Sequence, residues 1–124
     1  MINFFQHYKT FEDSRGFFKG IINTKSWQEI NYFSTGRNQI RGNHYHKFTD
    51  ELFFILEGEI RIMIREVLDD GTLDDEIEEF HAKKGDVFVI EKMTYHYFEI
   101  VKDSTWINAL TLKMDNENPD IISI

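Results

Sequence analysis

The sequence predicts one all-β domain, a sandwich or a closed barrel. Apolar and polar residues alternate with period two along much of the chain, and one proline stands against twelve phenylalanines and many β-branched residues. No window carries a sustained 3.6-residue apolar stripe with capping residues, so no long helix is expected. Short strands at about 8–12-residue spacing are the signature of a sandwich or barrel.

The elements follow in order. Weak strand patterns cover 17–22 and 28–34. In the run Glu51–Leu56, Glu51, Phe53 and Ile55 share one face and Leu52, Phe54 and Leu56 the other, which predicts a strand buried on both sides. Beyond Glu57-Gly58, Ile60, Ile62 and Ile64 alternate with Arg61, Met63 and Arg65, as in a strand with one wet face. Further strands are expected at 86–90, 95–101 and 106–113. Turn chemistry places turns at Gly58, Asp70-Gly71, Lys84-Gly85 and 102–104. The acidic run from Asp69 to Glu79 reads as a solvated hairpin.

Composition narrows the chemistry. With 124 residues, 41% hydrophobic and 29% charged, the chain suits a single globular domain spanning 1–124 rather than a disordered or fibrous one. No run approaches the ~18 apolar residues of a membrane span and no signal pattern opens the chain, so a cytoplasmic protein with no membrane partner is expected. The net charge of −8 argues against nucleic acid. It is unevenly spread: residues 1–50 carry +3 and the remainder −11, so an anionic small molecule is more easily held by the N-terminal part. With no cysteine there is no disulfide, thiolate metal site or Cys nucleophile. His, carboxylate, Tyr, Lys or hydroxyl groups must do any chemistry.

Of the five histidines, His7 and His81 read as surface or satisfied residues. The pair His44-Tyr45-His46 differs. On a strand both imidazoles project from one face, with Cα atoms about 6.6 Å apart. The turn-like Lys47-Phe48-Thr49-Asp50 predicts a hairpin that returns Glu51 beside the pair, and His96, on the face of Phe98 and Ile100, supplies a fourth ligand. Three imidazoles and a carboxylate suit Zn, Mn, Fe(II), Ni or Cu. Tyr45, Tyr95 and Tyr97 fall on the opposite face, which leaves a general acid unassigned. Trp27, Trp106 and the phenylalanines read as core or interface, and Gly42 and Gly58 as turn glycines with positive φ.

The run from Gly42 through His44, His46 and Glu51 to Gly58 resembles the first cupin motif, HxH, four residues, E, six residues, G. Gly85 and His96 keep the register of the second. The family's proline and glycine between them are Glu91 and Met93 here, its asparagine four residues after the histidine is Ile100, and its leading glycine is Asn38. The resemblance implies a jelly-roll β-barrel cupin. Asp13-Ser14-Arg15-Gly16-Phe17-Phe18 with Ile40-Arg41-Gly42-Asn43-His44 is similar to nucleotide-sugar epimerases and ketoisomerases of the dTDP-4-keto-6-deoxyhexose type. The stretch from Arg41 to Gly58, the Tyr95-His96 region and the tail Met114–Asp120 resemble the C-terminal cupin domain of capsular-polysaccharide enzymes that make acetamido-dideoxy-hexoses.

These resemblances imply a nucleotide-linked keto sugar as substrate, His44 as the base that removes the proton α to the keto group, and Arg15 and Arg41 as diphosphate contacts. They imply a divalent metal on His44, His46, Glu51 and His96, zinc first and manganese, iron or nickel as alternatives, with no organic cofactor. A homodimer is implied, with any reductase or transferase of the pathway a separate protein. A metal-bound imidazole has no lone pair left for base work, so His44 is base or ligand, not both at once. The competing readings are a metal-dependent dioxygenase or isomerase of a small organic acid, and a non-catalytic sugar- or metal-binding cupin.

Overall fold

The structure, a computed structural model, describes all residues from Met1 to Ile124. It contains ten strands and no helix: β1 (Ile2–Phe5), β2 (Lys9–Asp13), β3 (Gly16–Gly20), β4 (Glu29–Thr35), β5 (Ile40–His46), β6 (Glu51–Glu66), β7 (Glu78–Lys83), β8 (Val87–Ile90), β9 (Thr94–Leu110) and β10 (Ile121–Ser123). Eight form one antiparallel sheet in the order β1-β8-β6-β9-β5-β10, with β4 on β9 and β7 on β6. β2 and β3 form a separate, largely exposed hairpin. This is the all-β jelly roll that the alternation and the cupin spacing predict.

β6 and β9 are its spine, pairing from Glu51↔Leu110 to Glu66↔Thr94. The turns expected at Gly58 and 102–104 are therefore not turns. They face each other inside one continuous ladder, where the register slips between Ile55 and Ile60. Gly58 has φ +102°, and a Cβ there would lie 2.6 Å from the Asp103 carbonyl oxygen and the Ser104 Cα, so only glycine lets the two strands touch. Ser104 Oγ fills the gap by accepting the Glu59 N–H at 3.1 Å. The slip moves the core-facing set from odd to even numbers: Phe53 and Ile55 before it and Ile60, Ile62 and Ile64 after it share one core with Phe88, Phe98 and Trp106.

The reverse face carries Leu52, Val87, Val89 and Ala109, covered by Phe54, Ile21, Ile22 and Trp27. Two-sided burial of Glu51–Leu56 is thus realised, each large apolar side chain contributing about 1.5–3 kcal/mol of transfer free energy.

Other expectations are corrected. β5 and β6 do not form a hairpin, because β9 lies between them in the sheet. Residues 47–50 cross over instead, anchored where the Asp50 carboxylate accepts the Lys92 N–H at 2.8 Å and the Asp50 carbonyl accepts the Thr111 N–H at 3.1 Å. The last long strand stops at Leu110 rather than 113. The short strands β1, β2, β7 and β10 go beyond the alternation, being edge pieces of three to six residues whose partners, not their own pattern, make them strands.

Candidate active site and metal centre

The site is assembled on three strands. β5 brings His44 and His46, β6 opens on Glu51, and β9 brings His96. A β-bulge makes the approach possible. Gly42 (φ +81°) and Asn43 (φ +63°) are both left-handed, and the β5–β9 register shifts between Gly42 and His44. Gly42 is thus a bulge glycine rather than a turn glycine. A Cβ at Gly42 would meet the His96 carbonyl oxygen at 2.8 Å and its ring Cδ2 at 3.0 Å. The bulge leaves His44 directly opposite His96, with ring centroids 4.8 Å apart and nearly perpendicular; His46 stands 5.4 Å from His44.

The departures from the cupin pattern leave the backbone in the conformation a glycine would favour. Asn38 and Met93, where the resembled family keeps glycines, have φ +68° and +62°. The Met93 N–H donates to the His46 carbonyl at 2.7 Å, which ties the loop after β8 to the end of β5.

His44, Glu51 and His96 line a cavity of about 320 Å³ with Phe33, Phe53, Phe98, Trp106 and the exposed Arg41. Their ligand atoms lie within 4.8 Å of one another. Glu51 Oε1 is 3.5 Å from His96 Nε2 and 2.9 Å from His46 Nε2, so His46 sits against the carboxylate, outside the tighter group of three. Glu51 Oε2 accepts from Asn108 Nδ2 at 2.9 Å. Glu51 Oε1 and the Nδ1 atoms of His46 and His96 are buried without hydrogen-bond partners. The converging group is His44, Glu51 and His96, and two imidazoles with a buried carboxylate are the donor set a divalent cation takes. The residues fit such an ion.

Burial sets the proton balance. Desolvation, with help from the neighbouring His96, pushes His44 down to about 4, so at neutral pH it is uncharged. Desolvation also lowers His96. Burial alone would lower His46 and raise Glu51, but their mutual contact outweighs it, so His46 is raised and Glu51 lies well below the usual carboxylate range.

The two candidate arginines part company. Arg41 makes no ion pair; its Nε donates to Thr35 Oγ1 at 2.9 Å and its guanidinium lies 5.2 Å from the Phe33 ring, which itself stacks on Trp106 at 5.4 Å. It is a positioned, unneutralised cation beside the cavity. Arg15 is on the β2–β3 hairpin, outside that lining, with its side chain 85% exposed and bonded to Asp13 at 2.6 Å. Tyr95 and Tyr97 line an outer groove and Tyr45 is buried, none of them lining the cavity. Two site residues escape the motif reading. Asn108 is buried on the inner face of β9 between Trp106 and Leu110, and an asparagine on an apolar face is itself a signal, since it needs a partner. Asp120 accepts from Lys47 N, Phe48 N and Thr49 Oγ1 and comes within 3.8 Å of His46 Nδ1.

Fold and site together define a cupin: a jelly roll with histidines and a carboxylate turned into its interior. Residues 11–121 match the model of the polysaccharide biosynthesis C-terminal domain, and the chain belongs to that family. No curated protein matches it. Among solved structures it is similar to the capsular polysaccharide assembling protein CapF of Staphylococcus aureus, with 26% identity and a TM-score of 0.70 over 94% of this chain and 31% of that one. The chain thus spans about a third of CapF. It is also similar to dTDP-4-dehydrorhamnose 3,5-epimerase from Sulfolobus tokodaii (19% identity, TM-score 0.78, 99% of this chain and 81% of that one). A third likeness is to the 3,4-ketoisomerase QdtA of Thermoanaerobacterium thermosaccharolyticum, solved with TDP-4-keto-6-deoxyglucose (13% identity, TM-score 0.75, 99% and 87%). The latter two likenesses establish the fold.

Proposed function

We propose that the chain is an isomerase that epimerises or keto-isomerises a dTDP- or UDP-linked 4-keto-6-deoxyhexose in surface-polysaccharide synthesis. The observation that carries this is His44: an imidazole kept neutral by burial, open to a cavity, with the unpaired Arg41 beside it. A neutral ring nitrogen takes the proton from the carbon next to the keto group, and the electron pair moves to the keto oxygen as an enolate. Return of a proton to the opposite face inverts that carbon; its return instead to the former carbonyl carbon, with the hydroxyl proton of the first carbon passing to the enolate oxygen, moves the carbonyl. No electrons are gained or lost, so neither outcome needs an organic cofactor. Arg41 is the diphosphate contact, its guanidinium free to bind two oxygens.

The grouping of His44, Glu51 and His96 favours a second reading, in which a divalent ion, zinc first and manganese, iron or nickel as alternatives, is held there with His46 alongside. When bound it supplies Lewis-acid polarisation of an oxygen. The β2–β3 hairpin exposes Phe11, Phe17 and Phe18, which supports a homodimer that covers them. Arg15 keeps a diphosphate role only through such a second copy. The setting we assign is the cytoplasm.

The test is incubation of the protein with TDP-4-keto-6-deoxyglucose in D₂O. Deuterium should enter next to the carbonyl, and His44→Asn should stop it while TDP still binds. A chelator that also stops it assigns the ion to the chemistry; exchange that persists without metal leaves His44 as the free base. No deuterium across several such sugars, with folded protein and bound nucleotide, overturns the proposal in favour of a binding module.

A further inference from the structure

Asn108 stands in a directional chain of side chains that runs from the buried Glu51 out to the half-buried Asn31 and Glu29. Its Nδ2 donates to Glu51 Oε2 at 2.9 Å, while its Oδ1 accepts from Asn31 Nδ2 at 3.1 Å. The same Asn31 amide donates its other hydrogen to Glu29 Oε2 at 3.0 Å, and Glu29 Oε1 accepts the Met114 N–H at 3.1 Å. Glu29 is ionised, held below the ordinary carboxylate value by those two bonds, and so can only accept. The register explains the alignment: Asn31 pairs directly with Asn108 across β4 and β9, and Asn108 with Phe53 across β9 and β6. Glu51, two residues before Phe53, therefore lies diagonally across from Asn108 on the same inward face.

This chain has one polarity. Glu29 accepts at one end, so Asn31 must turn both its hydrogens outward, one of them to Asn108. Asn108 must then present its oxygen to Asn31 and its amide to Glu51. A flipped Asn108 would set oxygen against the Glu51 carboxylate and N–H against N–H at Asn31. Oε2 of Glu51 is thereby fixed, and Oε1 is left as the oxygen that meets His46 and His96.

We propose that Asn108, locked by Asn31 and Glu29, is a positioning residue that aims Glu51 Oε1 at the histidines. This rests on the reading of Glu51 as a working group of the candidate site. Supporting partners of this kind, one shell beyond a ligand, typically change metal affinity by 10–100-fold when removed.

The test is a double-mutant cycle between Asn108→Leu and Glu51→Gln. It is read by zinc affinity in competition with a chromophoric chelator and by imidazole ¹⁵N spectra of the metal-free protein. Asn108→Leu should weaken zinc binding about 10–100-fold and displace the His46 and His96 ring resonances, yet add nothing in the Glu51→Gln background. Asn31→Val, at a half-buried position of an edge strand, should act in the same direction and carries the test if Asn108→Leu fails to fold. Equal losses in both backgrounds overturn the proposal, as do unchanged zinc affinity and ring spectra. A wild-type protein that binds no zinc defeats the metal reading alone, and the ring spectra, compared in the same cycle, still decide the positioning role.

Discussion

Replacing Gly42 with alanine should disrupt the junction between β5 and His96, at a cost divisible into two parts. The backbone at φ +81° costs an L-residue about 1–2 kcal/mol, less about 0.4–1 kcal/mol recovered from the stiffer unfolded chain, for a net of about 1 kcal/mol. The added Cβ, 2.8 Å from the His96 carbonyl oxygen and 3.0 Å from its ring, then forces a displacement of the overpacked kind, about 1–3 kcal/mol. The sum is about 2–4 kcal/mol, or a fall in Tm of roughly 8–16 °C at about 4 °C per kcal/mol in a domain of this size. Gly71 supplies the control, since it has φ +85° with nothing within 4 Å of an added Cβ, so Gly71→Ala should show only the backbone part of about 1 kcal/mol. Urea unfolding of both variants at constant m-value measures the difference. Equal losses would refute the reasoning, because the contact with His96 would then contribute nothing.

Acid should weaken the metal-free protein through His44. A histidine lowered to about 4 binds fewer protons than its unfolded counterpart, so stability falls as pH drops from about 6.5 toward 4. The loss is about 3 kcal/mol at most, trimmed by the ring's partial exposure. Urea unfolding in chelator at stepped pH should show that this portion is missing in His44→Gln; parallel curves for the two proteins would contradict it. Arg41→Leu should weaken TDP binding by about 1.5–3 kcal/mol, on the order of 10–150-fold, in calorimetric titration, with Arg41→Lys intermediate because it keeps charge but not the fork. An unchanged Kd for Arg41→Leu would remove Arg41 from the diphosphate site.

Much of the site was legible because strand parity is local. His44 and His46 two residues apart, and His96 in step with Phe98 and Ile100, needed only a period of two to share an interior. How Glu51 arrives was not legible. A turn-like Lys47–Asp50 suggested a hairpin, whereas β9 separates the two strands and barrel curvature closes the gap. Gly58 and Ser104 each read as local turns, and only their mutual contact shows that they are one kink in a shared ladder. Asn38 and Met93 depart from the cupin residues while their φ angles stay left-handed, since neighbouring hydrogen bonds such as that from Met93 N–H hold the loop. Arg15 and Arg41 looked alike in sequence; Asp13 two residues away neutralises one, and Thr35, six residues from the other, only orients it.

The long antiparallel pairing of β6 with β9 also orders events in time. Its Glu66–Thr94 end closes the shorter loop and its Glu51–Leu110 end the longer one. Loop closure costs about 0.6 kcal/mol more for each doubling of loop length, so the ladder is expected to close at Thr94 before Leu110. His96 is thus placed early, while Glu51 and Asn108 meet at the far end of the zipper, beyond the kink at Gly58. A chain stalled at that kink has only the Glu59–Glu66 part of the ladder and lacks its carboxylate, so the cluster of His44, Glu51 and His96 is expected to report on a late stage of folding rather than on collapse.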